Sequence, residues 1–389
     1  MTKKWSSRLT FFAFVVLMVG LGSNDSLRGI FSTIFQEHFS LTTTQLGLIV
    51  TASYIGNLVF LLVGGNLSTR FSKKRVLQVL ILIWMAALAL FAFTSNYTVL
   101  LIGMALALGS STLLNTTMNL ITPLLFATAP GFFVNFLFFT QEIGTSGSQY
   151  ILGSHADGFA FWQHTNLVLL ILGAVAFVLL LFCNVPEEAA APADAPAQKG
   201  GYDWRIIVPY VLVFGFYFIA EHGVMNWMVA YGVDGLGLPQ ASAAKYLSVF
   251  FGGMMIGRLC LSPLVDKLGA LKSLAAFGGV SCVLYLIGSL GGAVTMPVWA
   301  ISGLSFSILY PTLVMSIRLY FPAQQVSGAA GTILSIASLA DILFNVGFGK
   351  LVDMTGYAVG IRVLPLSALA FFIVFMLFTK FCKPTQKLK

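Results

Sequence analysis

The chain is a succession of apolar runs of about twenty residues or more, separated for most of its length by breaks of only a few polar residues. A bilayer's hydrocarbon core takes roughly 20 residues of α-helix to cross, and inside it every backbone N–H and C=O must be bonded within the segment. Consecutive runs of this length therefore predict spanning helices. We place twelve of them, at 9–35, 43–66, 75–95, 98–125, 131–153, 166–184, 205–232, 242–262, 272–291, 296–319, 326–349 and 360–381. Only 9% of the 389 residues are charged and 58% are hydrophobic, against about 25% charged in a soluble domain. A soluble fold of this size could not cover so much apolar surface.

Charge placement orients the chain. With both termini cytoplasmic, most Lys and Arg fall on one side, including Lys3, Lys4, Arg8, Arg70, Lys73, Lys74, Arg75, Lys267, Lys272 and Lys380, whereas Lys245, Lys350 and Arg362 fall on the other. This is the positive-inside pattern, and it accounts for the +8 net charge without a nucleic-acid partner. The first run contains Asn24, Asp25 and Arg28 and lacks a convincing small-residue cleavage site. It reads as an uncleaved span rather than a signal peptide.

An Ala/Pro-rich stretch over 185–203 interrupts the pattern and reads as a cytoplasmic linker. It divides the chain into bundles at 1–184 and 204–389, six runs each. The halves align locally at an offset of 201, with Gly56-Asn57-Leu58 against Gly257-Arg258-Leu259 and Asp25 against Asn226. The basic loop Gly65-Asn66-Leu67-Ser68-Thr69-Arg70-Phe71-Ser72-Lys73-Lys74-Arg75 has a partial echo in Pro263-Leu264-Val265-Asp266-Lys267-Leu268-Gly269. A duplicated six-helix unit is a common transporter plan. The fold class is thus all-α and polytopic, twelve transmembrane helices in two pseudo-symmetric six-helix bundles.

These features together resemble the major facilitator superfamily. The loop from Gly65 to Arg75 follows the family pattern between the second and third helices, except that Thr69 replaces an aspartate and Ser72 a glycine. The resemblance implies that the loop aspartate clamps a neighbouring helix. Thr69 has lost that group in the first half and Asp266 keeps it in the second, so Gly65, Arg70, Arg75, Arg258, Asp266 and the helix-breaking Pro311 become the conformational candidates. A finer resemblance is to the fucose-galactose-proton symporter branch. It rests on Phe35-Gln36, Phe39-Ser40-Leu41, Gln45 to Ile49, Asn119, Asn135, Gly144, and Glu221 with Gly223, Trp227 and Tyr231. It implies a cavity lined by helices one, four, seven and ten, and proton-coupled uptake of a sugar or related nutrient.

Charges at membrane depth are expensive and mark function. Four carboxylates qualify: Asp25, Glu142, Glu221 and Asp341. Asp25 and Arg28 are one helical turn apart, so they can pair locally as a structural clamp or outer gate, or Asp25 can couple protons and Arg28 meet an anionic substrate. The branch carries an acid four residues before Asn119, where this chain has Asn115, an amide that cannot exchange a proton. Glu142, beside Gln141 in the fifth run, is then either the displaced proton carrier or an interface acid. Glu221 is either a cavity acid among aromatics or a partner of His222. Asp341 is either a coupling group or a structural partner, with Arg258 as the candidate counterion. Asn24, Arg28, Asn115, Asn119, Gln141, Glu221, Asn226, Trp227 and Tyr310 make up the candidate substrate site.

No enzyme motif, metal-ligand spacing or phosphate loop occurs in the sequence, so we expect no catalysis, no cofactor and no metal. The expected partners are a small-molecule substrate, a proton or sodium ion and the lipid bilayer. The chain is expected to work as a monomer in a cell (inner or plasma) membrane. An exporter of drugs or metabolites, an organic-anion carrier and a non-transporting receptor remain as alternatives.

Overall fold

The computed structural model describes residues 3–126, 130–186 and 202–384; within these, the side chains of residues 3–6, 63–70, 130–132, 323, 324 and 327 and of Asn135 and Asp266 lie outside the described set. Two compact units, Met1–Ala195 and Pro196–Lys389, divide the chain. The first holds α1 (Lys3–Ile30), α2 (Thr43–Arg70), α3 (Lys73–Phe93), α4 (Tyr97–Leu125), α5 (Pro130–Ile151) and α6 (Phe159–Phe182). The second holds α7 (Trp204–Ala230), α8 (Gln240–Leu268), α9 (Ala270–Leu290), the segmented α10 (Met296–Leu319), α11 (Ala323–Thr355) and α12 (Val363–Phe381). Among the described residues, eleven helices are long and apolar enough to cross a membrane. The 22-residue α5 occupies the place of the remaining predicted span.

The first predicted run, 9–35, is split: α1 ends at Ile30 and a short helix, Ser32–His38, follows. Elsewhere the breaks carry recognisable end signals. Asn96 accepts from the Val99 N–H at 3.1 Å and so caps α4, and Asp203 caps α7 through the Arg205 N–H at 2.9 Å; both satisfy donors that a first helical turn leaves open. In the first half, Ser72 accepts from the Arg75 N–H at 3.4 Å and starts α3. At the echoed place in the second half, Gly269 ends α8 with φ +82°, a backbone that glycine adopts without steric cost. One loop therefore uses the serine to begin a helix where the other uses the glycine to end one. Lys74 donates to the carbonyls of Leu181 at 3.0 Å and Cys183 at 2.7 Å. A member of the basic loop thereby satisfies open carbonyls at the C-terminus of α6.

Helix crossings are made by glycine, as small-residue packing between membrane helices requires. A Cβ on Gly22 of α1 would meet the Gln141 carbonyl of α5, and one on Gly144 of α5 would meet the Val19 carbonyl of α1. Two cross-helix hydrogen bonds flank this contact, Ser23 Oγ to the Gly144 carbonyl at 3.3 Å and Thr145 Oγ1 to the Gly22 carbonyl at 3.2 Å. The sequence repeat has a structural counterpart as well. Gly56 of α2 lies against the Ala105 carbonyl of α4, and a Cβ on Gly257 of α8 would lie 2.5 Å from the Leu304 carbonyl of α10. In each bundle the second helix crosses the fourth at the matched glycine.

The kink expected at Tyr310-Pro311-Thr312 lies one turn earlier. α10 is interrupted at Ser302 and again at Ser307-Ile308, between Gly303–Phe306 and Leu309–Ser316. Pro311 has no N–H to offer the Ser307 carbonyl, so the gap opens four residues before the proline. Ser302, Ser305 and Ser307 turn their hydroxyls onto carbonyls three residues back, at 2.5, 2.9 and 2.7 Å, which weakens the same stretch. Pro311→Ala is expected to let α10 run on through Ser307 and to stabilise the protein by about 1–3 kcal/mol. Hydrogen exchange reads this directly: amides 307–312 become more protected, and unchanged exchange there would refute the assignment.

Candidate functional site: two polar arrays at membrane depth

In the first bundle the polar groups line one face of α4 as two hydrogen-bonded sets, Ser111 with Asp25 and Asn119 with Asn115 and Gln141. Ser111, Asn115 and Asn119 are spaced four apart, so they stack on one stripe of the helix. Ser111 Oγ lies 3.3 Å from both carboxylate oxygens of Asp25 on α1 and donates to that carboxylate. Asn115 Nδ2 donates to Gln141 Oε1 of α5 at 2.6 Å, and Asn119 Nδ2 donates to Asn115 Oδ1 at 2.6 Å. Three of the predicted substrate residues and one predicted proton carrier thus meet on α1, α4 and α5. Asp25, Asn115, Asn119 and Gln141 are each half-buried, as is Glu142, the residue after Gln141.

Arg28, one turn beyond Asp25, packs against α2. Its guanidinium carbon stands 5.7 Å from the centre of the Tyr54 ring, and only 6% of its surface is exposed. Asn24 faces another way. Its Oδ1 accepts from Trp84 Nε1 of α3 at 3.2 Å, so the side chain expected to contact substrate ties α1 to α3 inside the bundle.

In the second bundle, α7 and α11 are joined by His222 Nδ1 and Asp341 Oδ2, 2.5 Å apart. The partner expected for Asp341 was Arg258, and the structure supplies His222 in its place. The reason is geometric: His222 projects from α7 directly against α11, whereas Arg258 on α8 is near a different group. Glu221 and Arg258 both lie within electrostatic range of the phenols of Tyr217 and Tyr310. Glu221 therefore belongs with Tyr217, Tyr310 and Arg258, while its neighbour His222 takes Asp341 and stacks on Phe218 at 5.3 Å between ring centres. Tyr310 stacks on Tyr217 at 6.1 Å.

Trp227 is the clearest departure from the expected substrate site. It is fully buried, its Nε1 donates to Asn345 Oδ1 of α11 at 2.9 Å, and its ring lies 4.7 Å from that of Phe348. Indole burial of this kind needs a bonded N–H, and Asn345 provides it. Asn226 is also buried, at 1% exposed. Of the conformational candidates, the Arg75 side chain is exposed and the Arg258 carbonyl accepts from Ser262 Oγ. The surroundings of Gly65 and the side chains of Arg70 and Asp266 fall outside the described set.

Sequence reasoning passed over Ser111 and Tyr54, and it offered His222 only as a partner for Glu221, whereas His222 meets Asp341. Ser111 was visible as the third member of the stripe with Asn115 and Asn119. Tyr54 carried no local signal, and the partner of His222 could not be read from its neighbours, since Arg28 and Asp341 lie on other helices.

Helices of spanning length, in two bundles with polar arrays at membrane depth, are the features of a secondary transporter. The chain belongs to the Major Facilitator Superfamily, whose family model matches residues 10–340. It is a multi-pass membrane protein. It is 24% identical over 333 residues to the L-fucose-proton symporter of Escherichia coli (strain K12), covering 74% of this chain and 75% of that one. It is 26% identical over 365 residues to a hexuronate transporter of Bacillus subtilis (strain 168), covering 85% and 84%. Its fold is also that of a D-xylose-proton symporter crystal structure, with a TM-score of 0.78, 15% identity and coverage of 97% and 98%.

Proposed function

We propose that this protein takes up a sugar or sugar-like nutrient together with a proton, with Asp25 as the proton site. The observation that carries this reading is the Asp25 carboxylate held by Ser111 at the head of the α4 amide stripe. An ionisable group on α1 is thereby adjoined to a run of amides able to bond a polyhydroxylated solute. Asn115 and Gln141 can transmit hydrogen-bond changes along that run but cannot exchange a proton, which leaves the carboxylate as the titrating member. A charged carboxylate at this depth is costly, so a proton and a bound solute together lower the cost of passing through the occluded state. The named relatives support the substrate class: one takes L-fucose with a proton and the other a hexuronate. The one-sided Lys and Arg distribution supports cytoplasmic termini, and we assign function to the monomer.

The test is uptake by reconstituted vesicles under an imposed pH gradient. For Asp25→Asn we expect proton-driven accumulation to fall at least about tenfold, a loss of the size expected when a proton-transfer group is removed. Equilibrium exchange of solute should persist. Accumulation that survives Asp25→Asn, or that follows a sodium gradient and not a proton gradient, would overturn the assignment. Glu142→Gln is the parallel variant for the other carboxylate in this bundle; loss of accumulation in that variant alone would move the proton site to α5.

A further inference from the structure

We propose that Arg28, held over the Tyr54 ring, is a subsite for a carboxylate on the transported solute; this deepens the carrier reading above and rests on it. Arg28 lies within the spanning segment Ser7–Ile30 and is 6% exposed. Its Nε is buried and has no hydrogen-bond partner among the described residues. A guanidinium carries five N–H donors in a planar fork and does not deprotonate in proteins, so it cannot relieve its burial by becoming neutral. The Tyr54 ring on α2, 5.7 Å away, offsets part of that cost through the ring quadrupole. A ring face accepts no ordinary in-plane hydrogen bond, so the N–H edge is left for another group. The nearest acid in sequence, Asp25, lies within electrostatic range of Arg28 but takes its hydrogen bond from Ser111, one hydroxyl shared between its two oxygens.

A planar monoanion fits this arrangement. Carboxylate oxygens match the fork in bidentate geometry. Asp25 stands one turn away, so when ionised it repels a dianionic phosphate about twice as strongly as a monoanionic carboxylate. With the proton on Asp25 and a carboxylate on Arg28, the three groups sum to zero charge. Such a site turns a carrier of neutral polyols into one that prefers their acids.

The experiment measures ligand binding to the purified full chain by thermal shift, using matched acid and alcohol probes: galacturonate against galactose, and benzoate against benzyl alcohol. The wild type is expected to bind at least one acid about tenfold or more tightly than its alcohol, in keeping with a charge-assisted bidentate contact. In Arg28→Gln that preference collapses to within about twofold, and Arg28→Lys, which keeps the charge and loses the fork, falls between. If Arg28→Gln does not yield folded protein, Tyr54→Leu serves in its place, with a several-fold loss of the acid preference. Acid preference unchanged in these variants overturns the subsite. Binding of the alcohols without preference for the acids overturns the subsite and leaves the carrier reading standing, whereas binding of neither class overturns both.

Discussion

Gly144→Ala is expected to destabilise the protein by about 3 kcal/mol, the upper end of the range for forcing an extra carbon into a packed contact, whereas Gly147→Ala, three residues along the same helix, should be neutral or stabilising by about 0.5–1 kcal/mol. The contrast comes from what the added Cβ meets. At Gly144 it runs into the Val19 carbonyl of α1, and at Gly147 nothing lies within 4 Å. The obstacle is a backbone oxygen in a hydrogen-bonded helix, so it cannot turn aside as a side chain would. Gly22→Ala should match Gly144→Ala, because its Cβ meets the Gln141 carbonyl from the other side of the same crossing. Gln141 belongs to the amide chain with Asn115, so spreading α1 from α5 should also lower transport. Denaturation in detergent micelles checks the order of the three variants. Equal stabilities would mean that α1 and α5 do not approach as described.

The second large effect concerns the His222–Asp341 pair. Asp341 is 2% exposed, its Oδ2 meets His222 Nδ1 at 2.5 Å, and its Oδ1 has no hydrogen-bond partner among the described residues. Removing the histidine, whose side chain is 26% exposed, strands a buried acid, and the lower end of the about 3–5 kcal/mol that loss of one member of a buried pair costs is expected. His222→Leu should therefore be severely destabilising. The double variant His222→Leu/Asp341→Leu should recover much of the loss, since two apolar groups of similar shape can replace a buried pair at little net cost. Stabilities that simply add across the two sites would show that the groups do not interact. The neighbouring Trp227–Asn345 bond, with Asn345 Nδ2 donating in turn to the Asp341 carbonyl at 2.8 Å, holds the same pair of helices. It should keep α7 and α11 together well enough for the double variant to be measured.

Both predictions rest on contacts that were only partly legible beforehand. The glycine at 144 was set apart from Gly147 only by the family resemblance, which gave it no packing role. The matched glycines at 56 and 257 were visible as a repeat, and the structure turns that repeat into the same crossing of second and fourth helices in each bundle. The stripe of Asn115 and Asn119 was legible because helical spacing alone puts residues four apart on one face. Its extension to Asp25 through Ser111 and to Gln141 was not, because it depends on how α1 and α5 are rotated about their axes.

What this sequence determined by itself follows from the solvent it faces. Apolar runs of spanning length must close their backbone hydrogen bonds internally, so helices, their approximate ends and their number could be read directly. The internal repeat marked two halves for the same reason, since it is a property of order along the chain. The tertiary structure alone decided which buried group meets which. Asp341 pairs with His222 and not Arg258, Trp227 and Asn24 turn into their bundles as ties, and Arg28 lies on Tyr54. Each outcome depends on angstrom-scale approach between side chains on different helices, 118 residues apart in the chain for Trp227 and Asn345. Helix rotation and crossing set that approach, and both emerge only when a whole bundle packs.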